Sequence, residues 1–541
     1  MARHSTRLFA LLFVGLLGAA LAGCGPDYPE RGERYEGPID PCDVEVATGA
    51  SSTEPGQTDR NAPGIEYWKD GPYDVWNTSP LDECNDDPTI DAVGEQRDVA
   101  MYITYPTTSA PTVSGEGDVA PGAWPVIVFA HANNDSKCNI YRDYWSLHDH
   151  WASWGFVVVS VDGTYTNCQP GSRQNIVDRK DGQLAALDAL ADLNQSSDSR
   201  FTGRIDLDRV VFAGHSRGGG SSLLAAREHG DALGVIDIQG IDLTAFGFGD
   251  DPIVGFPVVG FTAGQDVDLN YPIVEPTEDQ IDGVYTWVNI TGGIHAYTAD
   301  AVPIEPDDEP FIPRPRQHDI TEYYSTAFLA RFVGVGSGAY PTDESEQVLY
   351  SHHAARQVDE HISPLAVQQR WRSPTSAVLI DAFDGVDPQI NALGRANRSE
   401  SLRTSDETWT YRPDAEDPGW VYRKAVSRRL VADMPGEFVL EIGGDVAMAP
   451  GDSLQARVKG PDSGAPAAFD VRVELADGTE ATVEGGQHIG PELLSNRFTQ
   501  LVVDAEELGL SSETQVDRVV FEVRSGTLFV DDVRVVVPDA M

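Results

Sequence analysis

Gly214-His215-Ser216-Arg217-Gly218 stands where one kind of periodicity gives way to another, and that junction limits the folds open to the chain. Before it, Arg209-Val210-Val211-Phe212-Ala213 is a short β-branched apolar run, the pattern of a buried strand. Beyond Gly220, Leu223-Leu224-Ala225-Ala226 reads as the apolar part of a helix. A serine on a sharp strand-to-helix turn carries a strained backbone, and small residues two before and two after it let the chain close up. Its Oγ then projects above the sheet. The following amide lies at a helix N-terminus, where positive partial charge collects. A Gly-rich phosphate loop is the rival reading, but the P-loop spacing with its Lys-Ser/Thr is missing.

The flanking chain alternates strands with helices. Arg97–Tyr105 alternates like a strand, and Trp124–Ala130 is a continuous apolar run expected of a central parallel strand. A helix is expected over Tyr141–Trp154, a buried strand over Gly155–Asp162 and an amphipathic helix over Asp178–Leu193. Strands recur at Gly234–Ile238, Phe256–Phe261 and Tyr285–Ile290, and a helix over Glu322–Val333 closes the series. This order predicts an α/β domain with a mostly parallel sheet covered on both faces.

In such a sheet the functional groups sit on loops after the strands' carboxyl ends. Gly264-Gln265-Asp266-Val267-Asp268 follows one strand, and Thr291-Gly292-Gly293-Ile294-His295 follows the next. Ser216, an aspartate and His295 then stand in the α/β-hydrolase order. Two aspartates compete for the acid, and Asp268 is preferred over Asp266. One oxyanion donor is the amide of Arg217. The other comes from His131-Ala132-Asn133-Asn134, where the residue two after the histidine donates, so the Asn133 amide is chosen.

At 541 residues the chain is too long for one core, so two globular domains plus a leader are expected. The formal charge of −48 argues against nucleic acid, whose phosphates such a surface would repel. Arg3 and Arg7 precede an apolar run from Leu8 to Leu21, the outline of a secretory signal over residues 1–23. Leu21-Ala22-Gly23-Cys24 resembles a bacterial lipoprotein box, which implies cleavage before Cys24, lipidation of that cysteine and attachment to the cell envelope by lipid alone. Residues 24–61 read as a tether. Four further cysteines in an exported chain suggest two disulfides among three pairings. Cys42–Cys84 and Cys138–Cys168 are favoured, because each pair lies within one local region.

Residues 62–340 are assigned to the catalytic domain, 341–376 to an irregular connector and 377–541 to an antiparallel β-sandwich of short alternating strands and turns. No metal and no cofactor are expected. His148-Asp149-His150 reads as an exposed helix face, and Asp381, Asp384 and Asp531 read as turn aspartates before a Ca²⁺ site. Trp409, Tyr411, Trp420 and Tyr422 read as core aromatics before a glycan-stacking platform.

Trp124–Val333 resembles the bacterial cutinases, polyester hydrolases of the dienelactone-hydrolase and acetylhydrolase branch of α/β hydrolases. The resemblance is carried by Trp154–Val159, Gln169–Arg173, Gly182–Asp188, Gly214–Gly220, Gly264–Pro272 and Tyr324–Val333. It implies serine ester hydrolysis, with the acid four residues before a proline, as Asp268 stands before Pro272. The chain departs from the family at Asn133, where an aromatic residue is usual, and at Arg217, where methionine is. Asp237–Asp242 also replaces a stretch carrying a substrate-clamping tryptophan. Leu379–Asp384 and Leu528–Val533 look like the opening and closing strands of jelly-roll carbohydrate-binding modules, which implies a glycan partner for the second domain. The expected protein is an exported, lipid-anchored serine esterase. A glycan-binding protein with an inert hydrolase domain and an acyltransferase using the same residues stand as alternatives.

Overall fold

The computed structural model describes residues 67–77, 89–91, 98–108, 117–133, 140–166, 172–243, 246–248, 253–264, 266, 280–290, 292–301, 312–335, 342–350, 367–372, 376–383, 387, 389–410, 424–461, 467–489 and 498–537. The signal and tether, Cys24, all four disulfide candidates, Asp268, Asp384, Tyr411, Trp420 and Tyr422 lie outside them, as does the side chain of Trp409.

Nine strands form the backbone of the first sheet: β1 (Asp74–Asn77), β2 (Asp98–Thr107), β3 (Trp124–Ala130), β4 (Val157–Val161), β5 (Ile205–His215), β6 (Gly234–Ile238), β7 (Val258–Ala263), β8 (Tyr285–Ile290) and β9 (Val367–Arg372). Their spatial order is β1-β2-β4-β3-β5-β6-β7-β8-β9. From β4 through β8 every pairing is parallel, whereas β1, β2 and β9 run antiparallel to their neighbours. Strands β3, β4, β6, β7 and β8 are buried along their whole length, as parallel strands under two helical layers must be.

Among the described residues, five α-helices cover the two faces. On one side α2 (Arg173–Gln195) and α3 (Arg217–His229) bury Ile176, Leu190 and Leu223 against Val128, Val159 and Phe212. On the other, α1 (Trp145–Ser153), α4 (Arg314–Phe332) and α5 (Thr342–Leu349) close over Phe129, Val158 and Val288. Helix α2 starts five residues before the expected point because Ser172 caps it, its Oγ accepting the Asn175 amide at 3.2 Å. Helix α4 starts eight residues early: Pro315 stands in its first turn, where a missing N–H costs nothing.

Two expectations are corrected. The span 341–376 is not simply an irregular connector: it supplies α5, whose Val348 and Leu349 enter the core, and β9, which pairs residue for residue with β8. His148 and His150 are not on an exposed face either; they are 0% and 2% exposed. His148 packs among the rings of Phe129, Tyr144 and Trp151. His150 Nε2 bonds to the Thr326 hydroxyl at 3.0 Å, so α1 turns this face toward α4.

The second domain is antiparallel throughout its described pairings. The 24-residue strand Thr514–Val537 is its spine and pairs with Ser376–Asp381, Lys424–Ala432, Gly436–Met448, Ser453–Lys459 and Ala468–Leu475. Opening and closing stretches meet, Leu379 beside Arg534 and Asp381 beside Val533. Alternate residues such as Leu440, Val471, Val519 and Phe521 build a separate core, an arrangement consistent with a β-sandwich. Asp381 behaves as a turn aspartate, accepting the Phe383 amide at 2.8 Å. Asp531 faces Arg457 across 3.7 Å. Among the described residues no group of three or more His, Cys, Asp or Glu could hold a metal ion, and no helix is long and apolar enough to cross a membrane.

Candidate active site

Ser216 joins β5 to α3 with φ 59° and ψ −121°, a conformation that a residue with a side chain rarely adopts. Neighbouring glycines make the turn possible. A Cβ on Gly218 would lie 2.0 Å from the Ala130 carbonyl oxygen, and one on Gly214 would lie 2.3 Å from the Gly218 carbonyl oxygen. These contacts are backbone against backbone, so neither can relax cheaply. Behind the elbow, Gln183 of α2 donates to the carbonyls of Val128 and Ala213 and to the Ser222 hydroxyl. One buried amide thus ties two strand ends to the helix carrying the Arg217 amide.

Asp266 follows β7 and His295 follows β8, so both reach the carboxyl edge of the sheet beside the elbow. His295 Nδ1 donates to Asp266 Oδ2 at 2.8 Å, which leaves Nε2 as the acceptor. The sequence reading preferred Asp268 on the strength of Pro272. Instead, the structure brings Asp266 onto the imidazole: its amide turns back to the Ala263 carbonyl at 3.3 Å, aiming the side chain from the strand end itself. The His295 ring lies against His215, the residue before Ser216, with centroids 4.5 Å apart. Gly293 precedes it for a packing reason. A Cβ there would lie 2.7 Å from Gln317 Oε1.

The oxyanion loop is held from below and above. His131 is fully buried; its Nδ1 donates to the Ala132 carbonyl at 2.6 Å and its Nε2 accepts the Gly163 amide at 2.8 Å. Burial, with Arg179 beside it, keeps His131 neutral, well below the ordinary histidine range. Arg179 Nη1 donates to the His131 carbonyl at 2.7 Å. Burial first, and then the nearby Arg217 cation, push Arg179 down to about 10. From above, Arg217 Nη1 donates to Asn133 Oδ1 at 2.9 Å, joining the two residues chosen as oxyanion donors through their side chains.

Sequence reasoning ranked Asp266 second to Asp268 as the partner of His295 and missed Tyr144, Gln239 and Gln317, which surround the site from other elements. Asp266 had one available signal, its position only three residues past the strand end. Tyr144, Gln239 and Gln317 had none, because their contacts cross between elements over 71, 24 and 23 residues, which nothing in local sequence announces.

Residues 102–246 match the PET hydrolase-like family. Similar proteins include Cutinase 2 of Thermobifida cellulosilytica, 37% identical over 92 residues, or 17% of this chain and 32% of that protein. Cutinase cut1 of Thermobifida fusca is 37% identical over 92 residues, 17% of this chain and 26% of that protein. The bis(hydroxyethyl) terephthalate hydrolase of Streptomyces coelicolor is 30% identical over 182 residues, 34% of this chain and 49% of that protein. The matched region thus spans between a quarter and a half of those relatives' own length. With the strand order and the elbow, these matches identify the first domain as a cutinase-like α/β hydrolase.

Proposed function

We propose that the chain is a serine carboxylic-ester hydrolase that works through an acyl-enzyme. Ser216 Oγ attacks the ester carbonyl, and His295 Nε2 takes its proton and then gives it to the leaving alcohol. Asp266 holds the imidazole in the required tautomer and stabilises its cation. The amides of Arg217 and Asn133 receive the oxyanion, each such donor being worth ~3 kcal/mol in the transition state. Water, activated by His295, then releases the acid. The single observation that carries this reading is the strained Ser216 at the strand-to-helix turn, with a carboxylate-oriented histidine beside it.

Substrates of the cutinase and terephthalate-ester type are inferred from the similar proteins, whose names describe such activities. Export, lipid attachment at Cys24, the two disulfides and a glycan-binding role for the β-sandwich belong to the same proposal. They rest on sequence pattern alone. The deciding experiment is labelling with a fluorophosphonate probe together with hydrolysis of a short nitrophenyl ester. Both should vanish in Ser216→Ala; hydrolysis within about tenfold of the parent would refute the assignment.

A further inference from the structure

A chain of buried hydrogen bonds runs behind the site and touches three of its loops, the oxyanion loop, the nucleophile elbow and the His295 loop. It begins at the oxyanion loop, where the Ala132 amide donates to Tyr144 Oη at 3.1 Å. The Tyr144 hydroxyl donates to His215 Nδ1 at 2.9 Å. His215 Nε2 donates to Gln239 Oε1 at 3.1 Å, and that oxygen also accepts the Thr298 hydroxyl at 3.1 Å. Thr298 Oγ1 takes a longer bond, 3.4 Å, from Gln317 Nε2. Gln317 also grips Ile294 by both backbone groups, accepting its amide at 3.0 Å and donating to its carbonyl at 2.9 Å. The next residue is His295.

Gln239 presents Oε1, which can only accept, to His215 Nε2, so His215 carries its proton there and its bare Nδ1 accepts the Tyr144 hydroxyl. The Tyr144 oxygen keeps a lone pair for the Ala132 amide. Water cannot substitute, since Tyr144, His215, Gln239, Thr298 and Gln317 are each at most 4% exposed. Gln239 adopts φ 49°, a left-handed conformation strained for a side-chain-bearing residue, and its Nε2 has no partner among the described residues. The fold tolerates both to put one oxygen between His215 and Thr298.

We propose that this chain is a positioning relay in which Tyr144, Gln239, Thr298 and Gln317 act through His215, held as its Nε2–H tautomer, to lock the oxyanion loop and the His295 loop to the nucleophile elbow. The His215 ring packs against the His295 ring, tilted by 38°. Burial first, and then the positive charge that His295 acquires, hold His215 well below the ordinary histidine range, with His131 acting in the same sense. His215 therefore stays neutral while His295 takes up the serine proton, and it braces the base without competing for that proton.

The relay rests on the serine-hydrolase reading, so its test needs one arm that does not. In the full-length chain, Thr298→Val should lower kcat about tenfold with KM little changed, the worth of one lost hydrogen bond. Thr298→Ser, which keeps the hydroxyl, should recover most of it. Tyr144→Phe should lower kcat by a similar factor or more. The double variant Tyr144→Phe/Thr298→Val should lose less than the product of the single losses, because the relay is already broken. In ¹⁵N-histidine spectra of the parent, His215 should show a protonated Nε2 and a bare Nδ1 from about pH 5.5 to about 8, a pattern that Tyr144→Phe disturbs. A Thr298→Ser variant as slow as Thr298→Val, multiplicative losses in the double variant, or a His215 that titrates or carries its proton on Nδ1 would overturn the relay. A parent chain that neither hydrolyses esters nor takes the fluorophosphonate probe would sink the hydrolase reading instead, and the His215 spectrum would then decide the relay alone.

Discussion

Asp237→Asn should stabilise the protein at alkaline pH and do much less at acid pH. Asp237 sits inside β6, 1% exposed, with no partner for Oδ1 among the described residues. Its side chain is wedged behind the elbow: a Cβ on Gly219 would lie 2.2 Å from Oδ1, and one on Gly240 would lie 1.9 Å away. Burial alone pushes its carboxyl from 3.8 up to about 7. The unfolded chain therefore gives up this proton first, so stability falls as pH rises from about 4 to about 7 and stays low above that. At ~1.4 kcal/mol per tenfold gap in acidity, the full penalty is about 4 kcal/mol, an upper bound because neighbours relax. At pH 5 only about a third of that is felt, so the benefit of Asp237→Asn should grow by about 3 kcal/mol between pH 5 and pH 8.

Thermal unfolding of the hydrolase domain is the assay. At about 2–4 °C per kcal/mol for a domain of this size, the variant's Tm gain should be roughly 5–10 °C larger at pH 8 than at pH 5. The parent's own decline cannot isolate the effect. Burial also pushes Glu322 up to about 7 and Asp149 up to about 8, and both add to the same slope. The difference between parent and variant removes them. A gain equal at both pH values, or a variant destabilised equally at both, would show that Asp237 is not charged at pH 8 and would refute the reasoning.

Asp266→Asn should reduce turnover by a factor on the order of 10⁴, as loss of an orienting carboxylate does elsewhere, and Asp268→Asn by less than about tenfold; comparing kcat for the two settles the acid. Gly218→Ala forces a methyl to within 2.0 Å of the Ala130 carbonyl oxygen, so the elbow cannot close. That variant should lose labelling of Ser216 by a fluorophosphonate, and normal labelling would contradict the packing described. A chain ending near Gly338 lacks α5 and β9 and should unfold or aggregate on gel filtration. One ending at residue 375 keeps Val348, Leu349 and Val367 in the core and should hydrolyse a soluble ester, at reduced Tm.

Much of the first domain was legible because its signals are local. Trp124–Ala130 is apolar throughout, which only a strand covered on both faces requires, and the structure buries every one of its residues. The elbow was legible because strain demands small residues at fixed offsets from Ser216. His148 and His150 misled because their neighbours Ser146 and Asp149 are polar, while their actual partners lie on β3 and α4. Asp266 ranked second to Asp268 because a proline six residues downstream set the register. The deciding interaction, the bond to His295, spans 29 residues.

Strand β9 carries the hardest lesson, because its sequence, Val-Gln-Gln-Arg-Trp-Arg, offers a single aliphatic residue and does not alternate as an edge strand should. Its polar side chains are nonetheless buried, Gln368 at 2% and Gln369 at 0%, since each finds a partner that local sequence cannot reveal. Gln369 Nε2 donates to the carbonyls of Val348 and Leu349 at the end of α5, and Gln368 Oε1 accepts from Asn289 of β8. Beyond β9 the sheet would end in an open edge, the feature that invites strand addition from another chain. Here the second domain meets that edge: the Trp371 amide donates to Gln500 Oε1 at 2.7 Å, and Gln500 in turn donates to Gln455. Trp371 is consequently 1% exposed. The two domains are therefore joined through a buried polar seam as well as through the chain. Removing the second domain costs the first its edge protection even where every catalytic candidate is retained, so the reduced Tm expected of a chain ending at residue 375 should come with self-association. Gln500→Ala in the full-length chain should reproduce part of that loss, about 1–3 kcal/mol for leaving the Trp371 amide buried and unpaired.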